Sequence, residues 1–148
     1  MPRQFVVQLD NRVGELAHLS RALATRGVNI RHVSCFGSGS LACAFIIPDD
    51  GAGMRRVLQG LGHQYIEGEP IVVDVEDRPG GLADVAERLA AAGVSITGTM
   101  CVGQRPGIIE MAFTVDDEVK ARAALGQTNE MLVGASERRA TSGSIATE

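Results

Sequence analysis

The chain has 148 residues, a net charge of −4, three cysteines and 45% apolar residues, with four Phe, one Tyr and no Trp. The apolar share supports a core of Leu, Val, Ile and Ala. The negative charge, with no basic run longer than Arg138-Arg139, excludes the electrostatic footprint of a nucleic-acid binder. No apolar stretch approaches the ~18 residues of a membrane span. No basic-then-apolar leader opens the chain, and scattered cysteines without a paired spacing suit a reducing cytoplasm.

Phe5, Val7 and Leu9 alternate with Val6, Gln8 and Asp10, which predicts a half-buried strand. Leu16, Leu19 and Leu23 have helical spacing over 14–26, and Gly27 stops the helix. A β-branched run over 28–36, a Gly-Ser-Gly-Ser turn at 37–40 and an apolar run over 41–47 read as a hairpin. Pro48-Asp49-Asp50 ends that strand and caps a second helix, whose apolar stripe is Met54, Val57, Leu58 and Leu61. A short strand at 64–67 completes a β-α-β-β-α-β unit. After a four-residue linker the order repeats: strand 71–75, helix 80–92, strand 94–102, strand 108–115, helix 117–125 and a weak strand at 131–133.

The repetition is also literal. Leu9-Asp10-Asn11-Arg12-Val13-Gly14-Glu15-Leu16 returns 66 residues later as Val75-Glu76-Asp77-Arg78-Pro79-Gly80-Gly81-Leu82. Gly27-Val28-Asn29-Ile30 returns as Gly93-Val94-Ser95-Ile96, and Cys35 as Cys101. In the third strand and second helix the offset becomes 67, so one residue was gained near the turn. A period this long marks a duplicated domain rather than a solenoid repeat. Expected units are 1–68 and 69–134, with a disordered tail at 135–148 rich in Ser, Thr, Ala and Gly. The fold class is α+β: two ferredoxin-like βαββαβ units side by side, each a four-stranded antiparallel sheet with both helices on one face.

The repeated phrase lies where a strand gives way to a helix. Gly14 and Gly80 let backbone approach a ligand, and Pro79 suits a helix entrance. Unpaired N–H groups at a helix start favour a carboxylate. Oxygens of Asn11 and Asp77 can accept from an ammonium, so the loop is complementary to a free amino acid. Asn, Asp and Gly are also ordinary turn and cap residues, and exposed arginines such as Arg12 and Arg78 are usually solvated.

These residues resemble the ACT domain, a βαββαβ regulatory module of amino-acid metabolism. The resemblance rests on Asp-Arg-Pro-Gly-Gly-Leu at 77–82 and Gly-Val-Ser-Ile at 93–96, more weakly on the matching segments at 11–16 and 27–30, and spans 5 to about 133. It implies ligand contact at the strand-to-helix loops, often across an interface with another such unit. By position that means Asp10, Asn11, Val13, Gly14, Glu15 and Leu16, and Glu76, Asp77, Pro79, Gly80, Gly81 and Leu82. Asn11 and Val13 depart from the pattern, so unequal binding by the two loops is expected.

Other constellations carry less. Gly51-Ala52-Gly53 lacks the third glycine of a dinucleotide fingerprint, since position 56 is Arg56. There is no phosphate-binding Gly-Lys-Ser or Gly-Lys-Thr and no nucleophile elbow, and His18, His32 and His63 are dispersed, so no catalytic, metal or cofactor site is expected. Cys35 and Cys101 read as small packing thiols, or more sharply as a pair near a pseudo-two-fold axis. By alternation the open sheet faces carry Val6, Gln8, Ala42, Ala44 and Ile46, then Val72, Asp74, Ile108, Glu110 and Ala112. Without aromatics they offer no base-stacking platform. The apolar first face is expected to be covered by another subunit, in a homodimer or larger. The expected function is a stand-alone, cytoplasmic, non-enzymatic regulatory protein. It binds a small amino acid and acts in trans on a partner enzyme or regulator. The alternatives are a small enzyme on a ferredoxin-like scaffold and a purely structural dimerisation module.

Overall fold

A computed structural model describes residues 2–127. The first unit runs β1 (Gln4–Asp10), α1 (Glu15–Thr25), β2 (Ile30–Ser38), β3 (Leu41–Pro48), α2 (Gly51–Leu61) and β4 (Tyr65–Gly68). The second runs β5 (Ile71–Glu76), α3 (Gly81–Ala91), β6 (Ile96–Arg105), β7 (Ile108–Val115) and α4 (Glu118–Ala124). Two antiparallel sheets result, in strand orders β2-β3-β1-β4 and β5-β7-β6. The second sheet therefore shows three strands among the described residues. The strand expected at 131–133 and the tail at 135–148 lie outside them.

Local chemistry explains the element ends. α1 and α3 stop at glycines with left-handed backbone, Gly27 (φ 74°) and Gly93 (φ 71°). α2 and α4 begin at Asp50 and Asp117, whose carboxylates accept from the backbone N–H of Gly53 and Lys120. The preceding aspartates tie β2 and β6 down in the same way: Asn29 N–H donates to Asp49 and Ser95 N–H to Asp116, both at 2.8 Å. The gained residue sits in β6. The register slips between Cys101 and Gly103, where the β2–β3 ladder is unbroken. Val102 is the extra residue, accommodated as a bulge.

Each sheet buries one face under its own helices. In the first unit Phe5, Val7 and Leu9 join Ala44, Ile46, Leu19, Leu23, Met54 and Leu58. In the second, Ile71 and Val75 join Phe113, Val85, Leu89 and Ala121. Leu16 and Leu61, expected in the helical stripes, remain partly exposed.

The register corrects the expected open face of the first unit. Phe5 pairs with Ile46, Val7 with Ala44 and Leu9 with Ala42. Paired residues share a face, so Ala42, Ala44 and Ile46 point to the helices. The other face carries Val6, Phe45 and Ile47. It is not free of aromatics either: Phe45 lies there, 6.0 Å centroid to centroid from Phe36. Nor does it await another subunit. Phe45 and Ile47 form a buried cluster with Met100 and Ala112, flanked by Val6, Val72 and Val102. The units are thus packed open face to open face rather than side by side, in four layers with helices outside and both sheets inside. Units of this size bury a limited share of their surface alone, and this cover adds to it.

Candidate ligand-binding loops

The two strand-to-helix loops share a backbone plan. Gly14 (φ 89°, ψ −7°) and Gly80 (φ 88°, ψ −9°) hold the helix-start position in left-handed conformation. A Cβ there would be strained, so the glycines are required by the turn itself, before any ligand is considered. Asn11 N–H donates to Ser40 O (2.9 Å) and Asp77 N–H to Gly107 O (3.0 Å), fastening each loop to the hairpin of its own unit. Arg12 N–H donates to Asp10 O, and Arg78 N–H to Glu76 O, in both copies across a tight turn.

Neither Asn11 nor Asp77 caps a helix, because no side chain caps α1 or α3. The ordinary cap explanation of these residues therefore fails. The Asn11 side chain is engaged elsewhere, its amide donating to Gly39 O at 3.0 Å. A Cβ on Gly37 would fall 2.6 Å from the Asn11 side chain, which shows how closely that amide lies on the hairpin. Asp77 is exposed, and its carboxylate has no hydrogen bond or ion pair among the described residues. The first loop has committed its polar group to structure, while the second keeps a free carboxylate.

The arginines of the phrase are not merely solvated. Arg12 Nε donates to Glu15 at 2.5 Å, and Arg12 also lies 3.5 Å from Asp10. Arg78 pairs with Glu76 and, at 2.5 Å, with Asp84. Hydrogen bonding to Glu15 raises the Arg12 pKa above its ordinary value. Bonds to Glu76 and then Asp84 do the same for Arg78. Each arginine clamps its loop across the strand-to-helix corner. Acids two residues before and three or six after the arginine are the available signal in the sequence.

The backbones of the corners differ most plainly at Glu15 and its counterpart Gly81. At Gly81 a Cβ would lie 2.0 Å from Glu76 O. In the first loop Glu15 occupies that place, and its contact from N–H to Arg12 O lengthens to 3.4 Å, against 3.0 Å from Gly81 to Arg78 O. A cleft of about 230 Å³ opens beside the first loop, lined by Asp10, Glu15 and the β4 approach at Gly62, His63 and Gln64. Of the residues expected at the first site, Asp10 and Glu15 line it; His63 joins them from a separate turn, a placement that its sequence position does not signal. Val13, Leu16 and Leu82 hold apolar surface out to solvent around the loops, and Pro79 is exposed. Cys35 and Cys101 are both exposed free thiols, not packing residues. No set of three metal-ligating side chains converges among the described residues, and no described helix is long and apolar enough to cross a membrane.

Residues 71–129 match the family model of the ACT domain. The sequence matches no curated protein. Among solved structures, a Bacteroides thetaiotaomicron protein is similar at a TM-score of 0.70 and 18% identity, over 84% of this chain and 85% of that one. The ligand-free regulatory subunit of aspartate kinase from Thermus thermophilus is similar at 0.59 and 19%, over 84% and 87%. The corresponding subunit from Thermus flavus gives 0.60 and 18%, over 84% and 90%. At these identities the likeness is one of fold.

Proposed function

We propose, from the match of residues 71–129 to the family model of the ACT domain, that the chain is a regulatory protein that binds a small free amino acid and acts on a separate enzyme or regulator. It comprises two ACT units, 1–68 and 69–134. It works in the cytoplasm without catalysing a reaction, as a homodimer or larger. The family match and the likeness in fold to aspartate kinase regulatory subunits support the regulatory reading. Exposed Val33 and Phe36 on the edge strand β2 support self-association now that the open face is accounted for. Sedimentation at micromolar concentration tests that part, and a 15.6 kDa monomer would refute it.

The single observation that carries the ligand reading is the free Asp77 carboxylate beside the left-handed Gly80 at the start of α3. Asp77 accepts the ligand ammonium, and backbone N–H groups of the corner meet its carboxylate. Asn11, already bonded to Gly39, makes the first loop the weaker site. A thermal-shift screen of the twenty amino acids identifies the ligand, and calorimetry on variants locates it. Asp77→Ala removes a charge-assisted bond worth roughly 1.5–3 kcal/mol, a roughly 10- to 150-fold loss of affinity. Asn11→Ala leaves affinity nearly unchanged and lowers stability, since its bond is to the hairpin. Unchanged affinity in Asp77→Ala would refute the site.

A further inference from the structure

A second cleft lies between the sheets, at the end where β1 begins, with a volume of about 190 Å³. Gln4 of β1 reaches into it. This side chain is 1% exposed, yet neither its amide oxygen nor its amide nitrogen has a hydrogen-bond partner among the described residues. A desolvated, unpaired amide is costly, so native proteins rarely leave one without a purpose. The register explains why it is trapped. Gln4 lies opposite Gly68 and on the same face as Val6, which points at the second unit.

The remaining walls define the occupant. Val6 and Val115 supply apolar surface. Thr97 and Thr114, whose hydroxyls are 3.2 Å apart, supply donors and acceptors from the second unit. Three carboxylates border the cleft. Glu67 and Glu69 have arginine partners, whereas Glu118 has none among the described residues. Arg3 and Arg55 on Glu67, and Arg3 and Arg122 on Glu69, set three guanidiniums against the three carboxylates, so the rim is close to neutral and selects on hydrogen bonding rather than on charge. An amide that offers one donor edge and one acceptor edge is complementary to another primary carboxamide, through two parallel N–H···O bonds.

We propose that this cleft is a binding site for a small molecule bearing a primary carboxamide, held by Gln4 and closed by both units. It is separate from the strand-to-helix loops and does not depend on them. Because its walls come from β1 and β4 on one side and β6, β7 and α4 on the other, occupancy strengthens the contact between units.

Nitrogen-edited NMR on the full chain tests this, with propionamide, glycinamide and propionate as probes. The side-chain amide peaks of Gln4 and the backbone peaks of Thr114 and Val115 should shift saturably with both amides. Propionate should bind at least about tenfold more weakly, the loss expected for one charge-mismatched or unmade bond. Gln4→Met, close to isosteric, should lose the amide response and melt no lower than the parent. Thr114→Val, a second isosteric change, should weaken it. Asp77→Ala should leave it intact, so failure here and failure at the loop are separable. No saturable shift with either amide, equal binding of propionate, or an undiminished response in Gln4→Met would overturn the proposal and leave water as the partner of Gln4.

Discussion

The duplicated units are near copies in backbone and opposites in the faces they share. Phe45 of the first open face corresponds to Ala112 of the second, and Ile47 to Thr114. His32 corresponds to Gly98. At Met100 the exchange runs the other way, since the first face has Ser34 there, so bulky and small residues alternate between the faces and let them interlock. A Cβ on Gly98 would lie 2.3 Å from the Phe45 ring. Two identical faces could pair only symmetrically. Divergence after duplication gave this chain a directed, internal interface, which a bundle of side-by-side units would not need. The family model matches the second unit only. The first unit also departs from the second at its strand-to-helix loop, at Asn11, Val13 and Glu15.

The largest test of this contrast is Phe45→Ala. It empties the centre of the interface, and removal of a buried Phe costs roughly 3–5 kcal/mol. Ala112→Gly, at the duplicate position, should cost far less. Urea unfolding of the two variants measures the difference. Similar losses would mean that the interface is not built around the large residue of the pair.

Next come the corners. Gly81→Ala drives a methyl group into the Glu76 carbonyl, and backbone yields poorly. The expected loss is near the upper end of the roughly 1–3 kcal/mol typical of overpacking. Glu15→Ala, the equivalent change in the first unit, only removes a partly exposed ion pair with Arg12, worth about 0.2–1 kcal/mol. Thermal melts of the pair should differ plainly in Tm. Gly98→Ala belongs just below, because an aromatic ring can shift where a carbonyl cannot. Phe45→Leu in the same chain should recover part of that loss. Strict additivity in the double-mutant cycle would deny the contact.

Much of this was legible in the sequence because it is written locally. The repeat, four helices, the Asp50 cap and the change of offset each rest on spacing or on a residue type with one strong use. The faces of β3 were not legible. Leu41-Ala42-Cys43-Ala44-Phe45-Ile46-Ile47 is apolar throughout, so its parity is set only by pairing Leu41 with Asp10 across the sheet. Reading it one residue out of phase hides Phe45 and suggests a second subunit where the second unit sits. The loops were legible in position but not in mechanism. Gly14 and Gly80 signal a corner, but that Asn11 turns to the hairpin while Asp77 stays free follows from tertiary contacts alone. Gln4 gives no signal, since a polar residue opening a strand normally meets solvent.

The smallest expected effect concerns pH and a contrast between the ends of the two units. Glu67, at the close of the first unit, receives Arg55 and Arg3. The hydrogen bond from Arg55 does most to lower its pKa from the ordinary 4.5 to about 2, against a smaller opposing push from burial. The folded chain therefore keeps Glu67 ionised in a window where the unfolded chain protonates it. Between pH 4.5 and about 2 the unfolded state holds more protons, so stability falls as pH is lowered through that window and is level in this respect above it. Both arginines are partly exposed, so screening limits the contribution to about 1 kcal/mol. Glu67→Gln should lower stability at pH 7 by that amount and flatten the acid limb of a urea-midpoint profile. Added salt should narrow the gap between parent and variant. Asp117, at the start of α4, is lowered mainly by the Lys120 backbone N–H, a local cap that forms within one turn. Asp117→Asn, which retains an acceptor for that N–H, should thus disturb the profile less than Glu67→Gln. If the two variants have the same acid limb, the Arg55–Glu67–Arg3 cluster is not what distinguishes the two units at low pH.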